Sequence, residues 1–127
     1  MRKRLQRNPL VSIIIVNYNG KKLLRNCLVS LKALEYPKKQ VEIVVVDNRS
    51  TDGSVPYLRR HFPSVKLLLN TENNFCKANN LGVKKSSGEY IALLNNDTMV
   101  DRFWLRELVA TIQTDKRIGC AGSKIVF

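Results

Sequence analysis

Four short apolar runs divide the chain, and each is followed by polar residues. The runs read LVSIIIVN, VEIVVVD, VKLLLN and YIALLN. They are rich in branched aliphatic residues and are hydrophobic almost throughout. A strand with one solvent-exposed face would instead alternate between apolar and polar positions. The pattern therefore predicts four strands that are covered on both faces.

Helical spacing follows the first run. Over residues 21–34, apolar side chains recur at intervals of three and four, and Lys22, Arg25 and Lys32 fall outside their stripe. The stripe consists of Leu23, Leu24, Cys27, Leu28, Leu31 and Leu34. This spacing predicts an amphipathic helix that packs one face on the sheet.

Three more helices are predicted after the other runs. The first is short and ends near His61, with Ser50 and Asp52 as candidate caps, and the others span residues 75–85 and 103–114. The candidate core positions of the last helix are Phe103, Trp104, Leu108 and Ile112. The closing KIVF has the composition of a further strand.

The alternation of strands and helices predicts an α/β fold. We expect a Rossmann-like, mostly parallel sheet with helices on both faces and right-handed crossovers. The chain of 127 residues, with 44% apolar and 25% charged residues, is typical of one globular domain. We assign this domain to residues 11–127, after a basic tail over residues 1–10.

Polar residues follow all four predicted strands. In open parallel sheets, ligands bind beyond the carboxyl ends of the strands, where the strand order reverses. The sequences at these ends are Asn17-Tyr18-Asn19, Asp47-Asn48-Arg49-Ser50, Asn70 to Asn74, and Asn95-Asn96-Asp97. A single Asn-rich turn is explained by backbone chemistry, because Asn tolerates left-handed conformations. Four such ends at one edge predict a shared binding site.

Some of these side chains suit particular ligands. Asp97 is a candidate ligand for Mg²⁺ or Mn²⁺, which take oxygen ligands and often only one or two protein carboxylates. Asp47 could accept a hydrogen bond from a base or sugar, and Tyr18 could stack on a base. Lys77 begins the third helix, where its cation and the helix N-terminus could face a diphosphate. The alternatives are a rim tyrosine and a solvated lysine.

The charge of the chain favours anionic partners. It has 22 basic and 10 acidic residues, a net charge of +12, which suits nucleic acid, phosphorylated small molecules or an acidic membrane surface. Nucleic acid is disfavoured because most aromatic residues occupy core-type positions. The initial MRKRLQR is interpreted either as a solvated tail or as a contact with phosphate or lipid.

No apolar run approaches the roughly 20 residues of a membrane span, and no signal peptide is recognisable. We therefore expect a cytoplasmic protein, with a peripheral contact at the inner face of the membrane as one option. The three cysteines are odd in number and far apart, which predicts reduced, mostly buried thiols. The only histidine, His61, has no partner for metal binding or catalysis and is interpreted as structural or exposed.

Several familiar motifs are missing. The sequence contains no GxGxxG, no GxxxxGK[ST] and no GxSxG. The usual dinucleotide-binding, P-loop and hydrolase sites are therefore not predicted.

Four segments carry a family resemblance. In order they read VSIIIVNYNG, VVVDNRSTDGS, NNFCKANNLGVKKSSGEYIALLNNDT and IGCAGSKIVF. Over residues 11–127 the chain resembles the nucleotide-binding half of family 2 glycosyltransferases of the GT-A fold, particularly the rhamnosyltransferase-like group. The resemblance implies a hexosyl- or rhamnosyltransferase that binds a nucleotide-diphospho-sugar with Mg²⁺ or Mn²⁺. It would transfer the sugar, with inversion, to a saccharide or lipid-linked acceptor.

Two other classes remain as alternatives. The first is another enzyme that transfers nucleotidyl groups or uses nucleotide sugars, and the second is a basic nucleic-acid-binding module.

The resemblance also implies roles for individual residues. Tyr18 and Asp47 would hold the nucleobase, Asn19 and Asn48 would lie beside them, and Asn80 would shape the nucleoside pocket.

NND is similar to the family's DxD motif, with Asn95 in the first acidic place, Asn96 in the middle and Asp97 as the metal ligand. The amide at the first place lowers the charge of the site. Asn74 stands where the family usually has Gly before Phe75, so a left-handed residue is expected at this turn.

The family's catalytic base lies well beyond DxD, in the acceptor half. After Asp115 the chain has no Asp, Glu or His, so we expect the base downstream of Phe127. The chain is accordingly expected to be a truncated part of a longer enzyme, inactive alone and prone to self-association through an uncovered strand edge.

Overall fold

The structure is a computed structural model that describes residues 7–126. Its strands are β1 (Val11–Asn17), β2 (Val41–Asp47), β3 (Lys66–Leu69) and β4 (Tyr90–Asn95). Its helices are α1 (Lys21–Lys32), α2 (Ser54–His61), α3 (Phe75–Lys85) and α4 (Trp104–Gln113), with a 3₁₀ turn at Lys38–Gln40. The predicted order of four strands and four helices is confirmed.

The four strands form one parallel sheet in the order β3-β2-β1-β4. All seven residues of β1 are buried, which explains why its sequence does not alternate. The chain builds outward from β1 to β3 and then returns to the other side of β1 to form β4. The strand order therefore reverses between β1 and β4, and the predicted α/β fold is confirmed.

Alternate residues of β1 pack on opposite helical layers. Ile13 and Ile15 belong to the larger core, with α1, α2 and α4, whereas Ile14 belongs to the smaller core beneath α3. Helix α3 lies close to the sheet because Ala78 and Gly82 are small: a Cβ added at Gly82 would lie 2.4 Å from Cγ2 of Ile14. Both faces of the sheet therefore carry helices, as predicted.

One face of β4 is less well covered. Ile91 and Leu93 pair in register with Ser12 and Ile14 and lie on the α3 side of the sheet, yet they are 40% and 61% exposed. Strand β4 is also an edge of the sheet among residues 7–126. Self-association through this edge stays a prediction.

Two predictions near the carboxyl end of the chain were wrong. Residues 124–126 form no strand, and Ile125 and Val126 are 76% and 80% exposed, because no strand edge pairs with them in the described structure. Phe127 lies outside the described residues. In α4 the buried positions are Leu105 and Val109. Of the predicted core positions of this helix, Trp104 is half-buried and packs against the larger core, whereas Phe103, Leu108 and Ile112 are half-buried and do not belong to that core.

The cysteines also differ from expectation. All three are free thiols, but only Cys27 is buried, while Cys76 and Cys120 are exposed. Burial, together with the nearby charge of Asp97, raises the pKa of Cys27 to about 11. This thiol is therefore protonated and unreactive at neutral pH.

The last residues of the predicted basic tail are attached to the domain. Tyr36 donates a hydrogen bond to the carbonyl oxygen of Pro9 (2.7 Å). The amide of Glu89 donates to the carbonyl oxygen of Leu10 (2.8 Å). Arg7 pairs with Glu89 at 2.7 Å. Residues 1–6 lie outside the described structure, so the interpretations of the initial basic cluster stay untested. Within residues 7–126, no helix has the length and hydrophobicity needed to cross a bilayer.

Candidate functional site

A chain of hydrogen bonds joins three strand ends at the carboxyl edge of the sheet. Asn96, just after β4, donates from Nδ2 to Oδ1 of Asn17 at the end of β1 (3.0 Å). Asn17 in turn donates from Nδ2 to Oδ2 of Asp47 at the end of β2 (2.9 Å). Asn17 and Asp47 are buried and bonded to each other. These inner side chains therefore fix the positions of the loops above them.

The loops after β1 and β2 are also bonded to each other. The amide of Asn19 donates to Oγ of Ser50 (2.8 Å), and Oδ1 of Asn19 accepts from the amide of Thr51 (2.7 Å). Asn19 and Arg49 both have left-handed backbones, with φ of 48° and 62°. Such conformations are costly for residues other than glycine and are retained where the surroundings impose them.

Asp52 supports both helices on this side. Its Oδ2 accepts from the amide of Lys21 at the start of α1 (2.9 Å), and its Oδ1 accepts from the amide of Ser54 at the start of α2 (3.0 Å). Although burial acts to raise the pKa of Asp52, hydrogen bonds from Ser54 and Lys21 lower it below its usual value. The N-cap of α2 is Gly53, so neither Ser50 nor Asp52 is the N-cap residue as predicted. Asp52 still accepts from the first amide of the helix, whereas the Ser50 hydroxyl bonds to Asn19 and Asn17.

Gly20 allows these side chains to come together. A Cβ added there would lie 2.4 Å from Nδ2 of Asn96 and 2.9 Å from Oδ1 of Asn17. The glycine is therefore required by close packing rather than by an unusual φ. Sequence reasoning missed this residue, although its position directly after Asn17-Tyr18-Asn19 was a usable signal.

A cleft of about 280 Å³ opens beside these bonded side chains, between the ends of β1 and β4. It is lined by Val16, Tyr18, Asn48, Asn73, Phe75, Asn95, Asn96 and Asp97. Val16 belongs to the core beneath α3, so the cleft opens on the α3 side of the sheet. This is the point at which the strand order reverses, where open α/β sheets usually bind ligands. Five of the nine predicted site residues line the cleft: Tyr18, Asn48, Asn95, Asn96 and Asp97.

The other four predicted residues lie elsewhere. Asn19 joins the loops that follow β1 and β2. Asp47 is bonded to Asn17 and is only 1% exposed. Asn80 is exposed on α3 and is not among the residues that line the cleft. Lys77 forms an ion pair with Glu72 at 2.5 Å. Their roles in binding stay predictions.

Asp97 has a distinctive environment. Its side chain is exposed, and within residues 7–126 it accepts no hydrogen bond and forms no ion pair. The described residues gather no cluster of three or more His, Cys, Asp and Glu side chains that could hold a metal by themselves. One free carboxylate beside amide oxygens nevertheless fits Mg²⁺ or Mn²⁺, provided that phosphates and water complete the coordination shell.

The turn before α3 corrects one expectation. Asn74 is extended, with φ of −136° and ψ of 113°, and is therefore not left-handed as predicted. Its Oδ1 accepts from the amide of Lys77 (2.9 Å), so Asn74 is the N-cap of the helix. The capped turn brings Asn73 and Phe75 to the cleft. Sequence reasoning missed both as cleft residues, because a Phe at the start of a helix usually indicates packing.

Comparison with known proteins gives a consistent result. Residues 12–127 match Glycosyl transferase family 2. The glycosyltransferase AglE of Haloferax volcanii is 34% identical over 108 residues, which cover 82% of this chain and 36% of that protein.

Solved structures share the fold. The mannosyltransferase PcManGT from Pyrobaculum calidifontis, in complex with GDP-Man and Mn²⁺, matches with a TM-score of 0.74 and 30% identity over 82% of this chain and 32% of its own. S. aureus TarS 1-349 in complex with UDP matches with a TM-score of 0.75 and 27% identity over the same shares. The chain thus spans about a third of the length of these proteins. On the strength of the family match and this shared GT-A fold, the chain belongs to glycosyl transferase family 2.

Proposed function

We propose that this chain binds the nucleotide-diphospho-sugar donor of a glycosyltransferase in the cleft between β1 and β4. The observation that carries the proposal is Asp97, an exposed carboxylate at the reversal point of the sheet with no partner in the described structure. Family membership supports it, as do the UDP and GDP-Man complexes of the matched structures.

Asp97 is proposed to hold a Mg²⁺ or Mn²⁺ ion against the donor diphosphate. A divalent cation there would neutralise charge on the departing nucleoside diphosphate. Asn95 and Asn96 line the same cleft with neutral amides, which would supply oxygen ligands to the ion without repelling the phosphates. Phe75 lines the cleft as the first residue of α3, so the N-terminus of this helix is also near the diphosphate position.

The nucleoside is proposed to bind against the aromatic and amide side of the cleft. Tyr18 is 51% exposed and offers a ring for stacking. Asn48 is 1% exposed and its Oδ1 accepts from Asn70 (2.9 Å), so only its amide N–H groups are proposed to contact a base or ribose. Asp47 supports this wall from behind through Asn17. Direct contact with the base by Asp47 would require the inner network to open.

Asn19, Asn80 and Lys77 are proposed to act at the edge of the nucleotide site. Lys77 would have to leave Glu72 before it could approach a phosphate.

Transfer to a saccharide or lipid-linked acceptor, with inversion, completes the proposed reaction. An inverting transfer requires a base that accepts the proton of the acceptor hydroxyl. Asp97 is the only acid among the residues that line the cleft, and a carboxylate that binds a cation is a poor base. None of the residues that line the cleft is therefore assigned as this base. We further propose a cytoplasmic location at the inner face of the membrane.

Isothermal calorimetry tests the donor site. UDP, dTDP and GDP should be titrated with Mn²⁺ and again with EDTA, and a DNA oligonucleotide should be titrated over a series of salt concentrations. We expect binding of at least one nucleoside diphosphate that strengthens with Mn²⁺, and we expect this Mn²⁺-dependent gain in affinity to be lost in Asp97→Asn. Glu107→Gln is the matched control, because it removes one exposed acid from α4, outside the cleft lining. Oligonucleotide binding with a steep salt dependence and no response to nucleoside diphosphates would instead support a nucleic-acid-binding module.

A further inference from the structure

Helices α1 and α2 contain no acidic residue. Their sequences are KKLLRNCLVSLK and SVPYLRRH. Six of their basic residues are exposed: Lys21, Lys22, Arg25, Lys32, Arg59 and Arg60. We call the surface that carries these six residues the α1–α2 face.

The two helices lie side by side on the same side of the sheet. Nζ of Lys21 lies 5.4 Å from the centre of the Tyr57 ring, and Nζ of Lys32 lies 4.4 Å from that of Phe62. One contact is at the start of α1 and the other is at its end. Helices α1 and α2 are therefore adjacent, and their basic residues are carried by the same helical layer of the sheet.

The six cations have no acidic partner in the part of the chain that the structure describes. Within residues 7–126 none of them forms an ion pair, whereas several other basic residues do. Arg102 and Arg106 on the α4 side pair with Glu35, and Lys66 pairs with Glu42. Asp52, which is bonded to the first residues of both helices, is an acid at one end of the α1–α2 face. The six unpaired cations outweigh it, so the net positive potential of the face favours an external anionic surface.

Exposed aliphatic residues lie among these charges. Leu23 and Val29 are 49% and 50% exposed. Val29 follows Lys22 by seven positions and Arg25 by four, so the three share one stripe of α1. Cations around a protruding aliphatic side chain suit the interface of a bilayer, where lipid phosphates meet the first acyl carbons.

The same surface suits nucleic acid less well. Base recognition there would use exposed aromatic rings. The aromatic residues of this region are Tyr57, which is half-buried and carries Lys21 on its ring, and Phe62, which is buried beneath Lys32.

We propose that the α1–α2 face docks on an anionic membrane surface, with Lys22 and Arg25 close to the lipid phosphates. The donor cleft opens on the α3 side of the sheet, opposite the layer that contains α1 and α2, so docking leaves the cleft accessible. The proposal rests on the charge and packing of two helices and not on the identity of the nucleotide.

Vesicle flotation tests this assignment. The full chain should be mixed with vesicles of phosphatidylcholine alone, and with vesicles that also contain phosphatidylglycerol. The test variant is Lys22→Glu with Arg25→Glu. The matched control is Lys84→Glu with Lys85→Glu, at two exposed residues of α3 on the other side of the sheet, which lowers the net charge by the same amount. Thermal melting verifies that both variants fold.

We expect the parent to bind the anionic vesicles and not the neutral ones. The α1 variant should bind on the order of tenfold more weakly or worse, and the α3 control should change less than about threefold. Val29→Ser should weaken binding by about twofold without changing the net charge. Neither double variant should alter calorimetric binding of nucleoside diphosphates, so failure here is separable from failure of the donor site.

Three results would overturn the proposal. Equal losses in the α1 and α3 variants would show that only net charge matters. Loss of binding after removal of residues 1–6, with no effect of the α1 substitutions, would assign membrane contact to the basic tail. DNA binding that depends on Lys22 and Arg25, with vesicle binding insensitive to Val29→Ser, would identify a general polyanion surface.

Discussion

The two ends of the sheet carry polar clusters of different character. At the amino end, Glu42 accepts hydrogen bonds from the Ser12 hydroxyl and from the amide of Ser87 (2.8 Å), and Lys66 pairs with it at 3.5 Å. Oγ of Ser12 accepts from the amide of Gly88 (2.8 Å). Each of these polar side chains has a protein partner, so this cluster joins the strand starts and needs no ligand.

The carboxyl end has an inner and an outer layer. The inner layer, Asn17 and Asp47, is bonded in the same way as the amino end. The outer layer includes Tyr18, Asn95 and Asp97, whose exposed side chains line the cleft. The comparison shows that a polar strand end alone does not indicate function. Side chains that remain without partners after folding are the better indicator.

The largest expected effect separates these two ends. Asp97→Asn should weaken Mn²⁺-dependent binding of a nucleoside diphosphate by on the order of 100-fold or more, because it removes the cleft's only carboxylate. Its melting temperature should not change, since the side chain bonds to nothing in the described structure. Glu42→Gln should instead lower the melting temperature and leave the affinity for the nucleoside diphosphate unchanged. Calorimetry and thermal melting on both variants measure this contrast. Equal affinity in Asp97→Asn and the parent would contradict the assignment of Asp97 as the metal ligand.

A second change should affect stability and binding together. Gly20→Ala places a methyl group against Asn96 and Asn17, and should destabilise the fold by about 1–3 kcal/mol while weakening nucleotide binding. Gly119→Ala is the control, since a Cβ there meets nothing within 4 Å. Urea unfolding and calorimetry measure the two effects. Full affinity in a destabilised Gly20→Ala would show that the inner layer does not position the cleft.

A third change tests the amino end through pH. Burial acts to raise the pKa of Glu42, but hydrogen bonds from Ser12 and Ser87 and the charge of Lys66 lower it below its ordinary value of 4.5. A carboxyl with a lowered folded pKa stabilises the protein above its unfolded pKa, and this stabilisation is lost as pH falls through the folded pKa. Glu42→Gln should therefore cost about 1–2 kcal/mol at pH 7 and less in acid.

Urea unfolding of parent and variant over a pH series measures this difference. Parallel loss of stability in both proteins on acidification would contradict the role given to Glu42.

The sequence was sufficient for the fold, because the strands and helices follow from local patterns. The apolar runs located the strands, and helical spacing predicted α3 at its observed limits of Phe75 and Lys85. The error at KIVF has a different origin, because a strand also needs an edge to pair with, and pairing is not a local property.

The site was only partly predictable, for a related reason. Strand ends converge by topology, so Tyr18, Asn48 and Asp97 were correctly expected at one edge. Which of the polar side chains bond to each other could not be predicted, since that depends on distances between loops. Asp47 and Asn19 look like cleft residues in the sequence, yet both are used to hold neighbouring loops.

The smallest expected effect concerns Phe75, which sequence reasoning missed. At 60% exposure, this ring gains little from the core and lines the cleft with Tyr18. If both rings contact the base, Phe75→Ala and Tyr18→Ala should each weaken metal-free nucleoside binding by about 0.5–1.5 kcal/mol, and Phe75→Tyr should retain it. Asp97→Asn should leave this metal-free component intact. Calorimetry in EDTA with uridine, thymidine and guanosine measures it, with Phe103→Ala as an aromatic control outside the cleft lining. Equal nucleoside affinity in parent and Phe75→Ala would leave Tyr18 as the only aromatic contact and remove Phe75 from the site.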